Sequence, residues 1–172
     1  MVNRIAELLR EHGAVEYGEF VLASGARSTY YINVKSALTS PEVLVAVGEE
    51  ISSLEPFDVV AGVAVGGVPI AVSVSIASRK PYAIVRESEK THGKSGRVIG
   101  EVSGRTVLLV EDVTTSGGSV LAGIEALRAA GATVRTVVTI VDRQAGAGRF
   151  LEQAGVRLRS LSTADELVKG GK

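Results

Sequence analysis

Residues 107–120, VLLVEDVTTSGGSV, constrain this chain more than any other stretch. Val107 to Val110 form the kind of Val/Leu run that is buried on both faces of a parallel sheet. The predicted strand ends in two adjacent carboxylates, Glu111 and Asp112, and a turn of hydroxyls and glycines follows from Thr114 to Ser119. An amphipathic segment from Val120 to Ala130 then reads as a helix. Backbone N–H groups at such a turn and helix start point at an anion, and glycines let the backbone approach it closely. The carboxylates would repel a phosphate, but they suit two neighbouring sugar hydroxyls as acceptors. The segment therefore predicts a ligand that carries both groups. No G-x-x-x-x-G-K-[ST] P-loop and no G-x-G-x-x-G dinucleotide spacing is present.

The rest of the chain predicts strands alternating with helices. A helix is expected over 2–12, ending at Gly13, then short strands over 20–22 and 29–34 joined by a turn at 24–27. Ser40-Pro41 opens a helix to about residue 54, with Ser40 as cap. Strand 59–65, helix 68–78 and strand 81–85 follow, and then a polar, glycine-bearing loop over 87–100 that reads as mobile. Strand 106–110, helix 121–130 and strand 134–141 come next. The tail predicts helix 149–154, strand 157–161 and a last helix opened by a Thr163-x-x-Glu166 capping box. This alternation implies a doubly wound, mostly parallel α/β sheet, whose ligands sit at the carboxyl ends of the strands. Its 172 residues suit a single domain over 1–172.

Composition narrows the function. Acids and bases balance at 19 each, so no basic field argues for nucleic acid. No apolar run approaches a membrane span, and no signal-peptide core opens the chain. The absence of cysteine removes disulfides and thiol catalysis, and fits a cytoplasmic protein.

Four further constellations follow predicted strands. Val65-Gly66-Gly67-Val68-Pro69 is either a tight structural corner or a second anion site. Arg86, Lys90 and His92 lie in a segment that is either a solvated loop or a cationic lid over a leaving group. Arg143, in Asp142-Arg143-Gln144, could pair with a ligand carboxylate or with Asp142. In Ser24-Gly25-x-x-Ser28-x-Tyr30-Tyr31-Ile32-Asn33 the tyrosines alternate, one ring for the core and one free to stack on a planar base.

Together the SG..S.YYIN hairpin, the VGGVP corner, the R...K.HG loop, the EDVTTSGGS signature and the late DRQ resemble the orotate phosphoribosyltransferases, in their short archaeal form. These are type I phosphoribosyltransferases, and the resemblance spans nearly the whole chain. It implies a small N-terminal hairpin hood, a flexible lid loop, and transfer of the phosphoribosyl group of phosphoribosyl pyrophosphate (PRPP) to orotate. It further implies that Glu111 and Asp112 take the ribose hydroxyls, and that Val113, Thr114, Thr115, Ser116, Gly117, Gly118 and Ser119 cradle the 5-phosphate. Arg86, Lys90 and His92 would contact pyrophosphate, Thr115 and Arg143 would hold orotate, and Tyr31 and Ile32 would flank its ring. Lys90, His92 and Asp112 are the implied catalytic residues. Mg2+ held mainly by PRPP and water, with no dedicated protein metal site, and a homodimer that shares the lid between subunits complete the implied picture.

Bacterial members carry a lysine where Ala23 stands, a Tyr-Lys pair in place of Val65-Gly66, and a second lysine in place of Glu87. The first two departures match the short archaeal form, and Glu87 sets a negative charge beside a polyanion. Two rival readings fit the residues less well. A purine phosphoribosyltransferase is disfavoured by Arg143 and the R...K.HG loop, and a PRPP-sensing regulator by the balanced charge and lack of spare length.

Overall fold

The computed structural model describes residues 3–21, 25–88 and 96–169. Among them, helix α1 (Arg4–Glu11) is capped by Asn3, whose side chain accepts from the N–H groups of Ile5 and Ala6. Strands β1 (Val15–Val21) and β2 (Arg27–Ile32) pair antiparallel as a separate hairpin. A one-turn helix, α2 (Val34–Ala37), follows at once, with the Asn33 side chain accepting from the Ser36 N–H. Helix α3 (Pro41–Ser52) begins with proline in its first turn, and the expected Ser40 cap makes no side-chain hydrogen bond there. Proline has no N–H to satisfy at that position and its φ already suits a helix.

The remaining elements alternate: β3 (Val59–Val63), α4 (Gly67–Ser78), β4 (Tyr82–Val85), β5 (Val98–Ile99), β6 (Thr106–Thr114), α5 (Gly118–Ala129), β7 (Thr133–Asp142), α6 (Ala147–Glu152), β8 (Arg157–Thr163) and α7 (Ala164–Lys169). The expected capping box forms: the Thr163 N–H donates to Glu166 Oε2 at 3.0 Å, and the Glu166 N–H to Thr163 Oγ1 at 3.2 Å.

The main sheet has the order β5-β4-β3-β6-β7-β8, parallel throughout except for the antiparallel β4–β5 pair. Two apolar clusters cover its faces. One gathers Leu9, Val43, Ile51, Ile70 and Leu167, the other Leu109, Ile124, Leu127 and Leu151. All of these side chains are fully buried, and each contributes about 1.5–3 kcal/mol. Every residue of β3 is buried, as a central strand with helices on both faces requires.

The structure differs from the sequence expectation in three places that matter for the site. Strand β6 runs on through Glu111, Asp112 and Val113 to Thr114, because β7 pairs with it as far as Thr114 opposite Asp142. The acidic pair thus lies inside the strand rather than after it. The segment expected as loop over 87–100 contains β5, two residues returning along β4, and the Arg97 side chain donates to the carbonyls of Arg86 and Ala122. The hairpin's first strand begins at Val15, not residue 20. No helix among the described residues is long and apolar enough to cross a membrane.

Candidate active site

The chain leaves β3 in one direction to build β4, and later returns on the other side of β3 with β6. Strand order therefore reverses between β3 and β6, and the crevice outside their carboxyl ends is where a doubly wound sheet binds ligands. The two corners that flank this crevice are residues 64–67, leading into α4, and 115–117, leading into α5. Both are glycine corners.

Their approach is close. A Cβ built on Gly66 would lie 2.6 Å from Asp112 Oδ2, and nearer still to Asp112 Oδ1 and Cγ. The first corner is thus packed directly on the second carboxylate of β6. At the other corner Gly117 takes φ +90°, a left-handed conformation that favours glycine, and starts α5. Thr115, Ser116, Gly118 and Ser119 are exposed there, Gly117 is buried and Val113 half-buried. Thr114 is buried, and its hydroxyl has no hydrogen-bond partner among the described residues.

Glu111 and Asp112 are 6% and 5% exposed. Glu111 Oε1 accepts the Asp112 N–H at 3.1 Å. Burial first, and then the neighbouring Asp112 carboxyl, push the Glu111 carboxyl up to about 8. One cation meets this pair among the described residues: Lys35 Nζ, from the first turn of α2, lies 2.9 Å from Asp112 Oδ2. The contact with Asp112 raises the Lys35 ammonium above its usual range. Lys35 is the member of this cluster that sequence reasoning missed. The available signal was its place two residues after the SG..S.YYIN run.

The high Glu111 value has a consequence for stability. The folded chain holds the Glu111 proton between about pH 4.5 and 8, whereas the unfolded chain has released it. Stability therefore falls as pH rises through that window. Glu111→Gln removes the titration, so its melting temperature is expected to gain on the parent at pH 8.5 relative to pH 5. Parallel thermal melts at the two pH values check this, and an equal difference at both would refute the burial argument.

The third corner follows β7. The Arg143 N–H donates to the Thr114 carbonyl at 2.9 Å, which ties residues 142–144 to the end of β6. Asp142 Oδ1 accepts the Gln144 N–H at 2.8 Å, and the Arg143 guanidinium has no ion pair among the described residues. The Asp142–Arg143 bridge considered from sequence is absent there. Arg86 stands at the end of β4, its N–H donating to the Arg97 carbonyl, and its side chain is likewise without an ion pair among the described residues. In the hairpin, Tyr30 packs against the core while Tyr31 is 43% exposed, its ring centroid 5.7 Å from that of Phe20. Ile32, expected to flank a ligand ring, is a buried core residue, because it closes the hairpin against α2 and the sheet. Ala23, Lys90 and His92 lie outside the described residues, and Glu87 is exposed.

Among the described residues no cluster of three or more His, Cys, Asp or Glu side chains could cage a metal. The buried acid pair beside a hydroxyl-rich turn suits a hard cation that keeps most of its water and phosphate ligands.

Known proteins match this arrangement. The family model described as "Phosphoribosyl transferase domain" matches residues 46–157. The orotate phosphoribosyltransferase of Methanoculleus marisnigri is 61% identical over 170 residues, covering 99% of this chain and 100% of the relative. The crystal structure of orotate phosphoribosyltransferase from Aeropyrum pernix superposes with a TM-score of 0.85 at 36% identity, covering 96% of this chain and 97% of that one. That of the Mycobacterium tuberculosis enzyme in complex with PRPP superposes with a TM-score of 0.80 at 30% identity, covering 96% and 98%. With identity at this level along nearly its whole length, and with the acid pair, glycine corners and Arg143 gathered at one sheet edge, the chain belongs to the orotate phosphoribosyltransferase family.

Proposed function

We propose that this chain transfers the 5-phosphoribosyl group of PRPP to orotate, forming orotidine 5′-monophosphate and releasing pyrophosphate in pyrimidine biosynthesis. One observation carries the reading: the β3/β6 switch point brings a buried carboxylate pair, an exposed hydroxyl–glycine turn at a helix start, and an arginine without an ion pair among the described residues to one crevice. Glu111 and Asp112 accept the ribose hydroxyls, while the backbone N–H groups and hydroxyls of residues 114–119 hold the 5-phosphate. The Arg143 guanidinium pairs with the orotate carboxylate, aided by Thr115, and exposed Tyr31 stacks on the ring.

The reaction breaks the bond between the anomeric carbon and pyrophosphate and forms one to a ring nitrogen of orotate, with inversion and an oxocarbenium-like transition state. The chain's work is to orient two substrates and to stabilise the leaving group. Arg86, Lys90 and His92 supply that stabilisation on pyrophosphate, in a lid that excludes water. Mg2+ bound mainly through PRPP and water would neutralise part of the diphosphate charge, with Glu111 and Asp112 the adjacent protein carboxylates.

The lid serves the partner's site in a homodimer. An apolar face between α3 and α4 supports that assembly: Leu44, Pro69 and Val72 line a groove there, and Val45 and Ile76 are 57% and 75% exposed. Helix α4 carries no charged side chain, its only polar side chains being Ser73, Ser75 and Ser78, which is unusual for a solvent-facing helix. The cysteine-free composition suits the cytoplasm.

The test follows orotate by its ultraviolet absorbance with PRPP and Mg2+, with adenine, hypoxanthine and xanthine in parallel. Orotate turnover with inactive purines is expected. Purine turnover without orotate turnover would overturn the base assignment, and PRPP binding without any turnover would favour a regulator.

A further inference from the structure

The crevice holds a cation for which the proposed chemistry has assigned no task. Lys35 sits on α2, whose buried Val34 and Ala37 dock the turn against the core. The docking leaves the Lys35 side chain 62% exposed, yet its ammonium reaches a carboxylate that is nine-tenths buried. Ion pairs between exposed partners are worth little, but here one partner is cut off from water and has no other cation among the described residues. The charged and titratable groups that face Lys35 are Asp112 and Glu111 on β6 and Tyr31 on β2; the α4 corner contributes only uncharged Gly66.

We propose that Lys35 is a positioning residue of the sugar site, a counter-ion that holds the Asp112 carboxylate aimed into the crevice both before and after PRPP binds. The inference rests on the assignment of Glu111 and Asp112 to the ribose hydroxyls. Two adjacent buried carboxylates repel each other and tend to share a proton. The ammonium at 2.9 Å offsets that repulsion and sets the orientation of the Asp112 carboxylate. Because Lys35 approaches from the exposed side, it can keep this pair while a ligand enters the crevice. The Gly66 corner packs on the same carboxylate, so closely that an added Cβ would collide with it.

The test compares Lys35→Met and Lys35→Arg with the parent, by steady-state kinetics in both substrates across pH and by calorimetric titration of PRPP. Lys35→Met is expected to raise KM for PRPP about tenfold, with kcat and the KM for orotate within about twofold. The acid limb of kcat/KM for PRPP is expected to move to higher pH, because Glu111 also loses a nearby positive charge. Lys35→Arg is expected to recover most of the affinity. An unchanged PRPP affinity and limb in Lys35→Met would overturn the proposal. So would equal losses in both variants with the limb unmoved, which would mark a merely steric role. If the parent binds PRPP but does not turn over orotate, the calorimetric comparison still decides for or against Lys35, while the orotate reading fails alone.

Discussion

Gly66→Ala is expected to lower kcat/KM for PRPP by about a hundredfold while the protein stays folded. Gly66 takes φ −64° and ψ −36°, which alanine adopts freely, so the backbone offers no reason for glycine here. Space does. The added methyl would stand 2.6 Å from Asp112 Oδ2, and closer to the rest of that carboxylate. Either Asp112 turns, breaking its 2.9 Å pair with Lys35, or the 64–67 corner lifts off the end of β6. Each response displaces a group that must be placed to within a fraction of an ångström, and a misplacement of about 1 Å costs on the order of a hundredfold in rate. The overpacking itself costs about 1–3 kcal/mol, a loss that a domain of this size survives. Kinetics in PRPP beside a thermal melt check both halves. Activity within fivefold of the parent would mean that the carboxylate's position is not critical.

Gly62→Ala is expected to act on stability instead. Gly62 lies in β3, between β4 and β6, and its Cβ would lie 2.5 Å from the carbonyl carbon of Gly67 and 2.9 Å from the Val68 nitrogen. These are backbone atoms of the first turn of α4, so no rotamer change relieves the collision. Gly67 is equally confined, its Cβ position falling 2.5 Å from the Val110 carbonyl oxygen. The two glycines let α4 start directly on the sheet, which is what places the 64–67 corner beside β6. The substitution should cost about 3 kcal/mol or more. That corresponds to a fall of roughly 6–12 °C in melting temperature for a chain of this size. A change under about 3 °C would show that the start of α4 can slide, and would weaken the geometric argument for Gly66 as well.

Both glycines belong to the VGGVP corner and its approach strand, where sequence could offer only two readings, a tight turn or an anion site. Contact with Asp112 shows that the corner is at least the first, and it does so through atoms far away in the chain. The same limit explains β6. Its apolar run breaks at Glu111, so periodicity ends the strand there, whereas pairing with β7 carries it to Thr114. Strand β5 has only two residues and no pattern of its own; its pairing with β4 exists because the chain returns along that edge. Ile32 is placed beside the ligand ring by resemblance alone, and its burial depends on core residues distant in the chain.

By itself the sequence determined the kinds of element and the chemistry at their ends. The Val/Leu runs, the glycine turns, the Thr163–Glu166 box and the row of carboxylates and hydroxyls after Val110 all act over a few residues, and a few residues of sequence display them. Only the tertiary structure decided where strand order reverses, which corner leans on Asp112, and that Lys35 is the cation beside it. Burial and charge depend on neighbours brought together by the sheet. The raised Glu111 carboxyl is therefore a property of the assembled crevice, not of the segment that carries it.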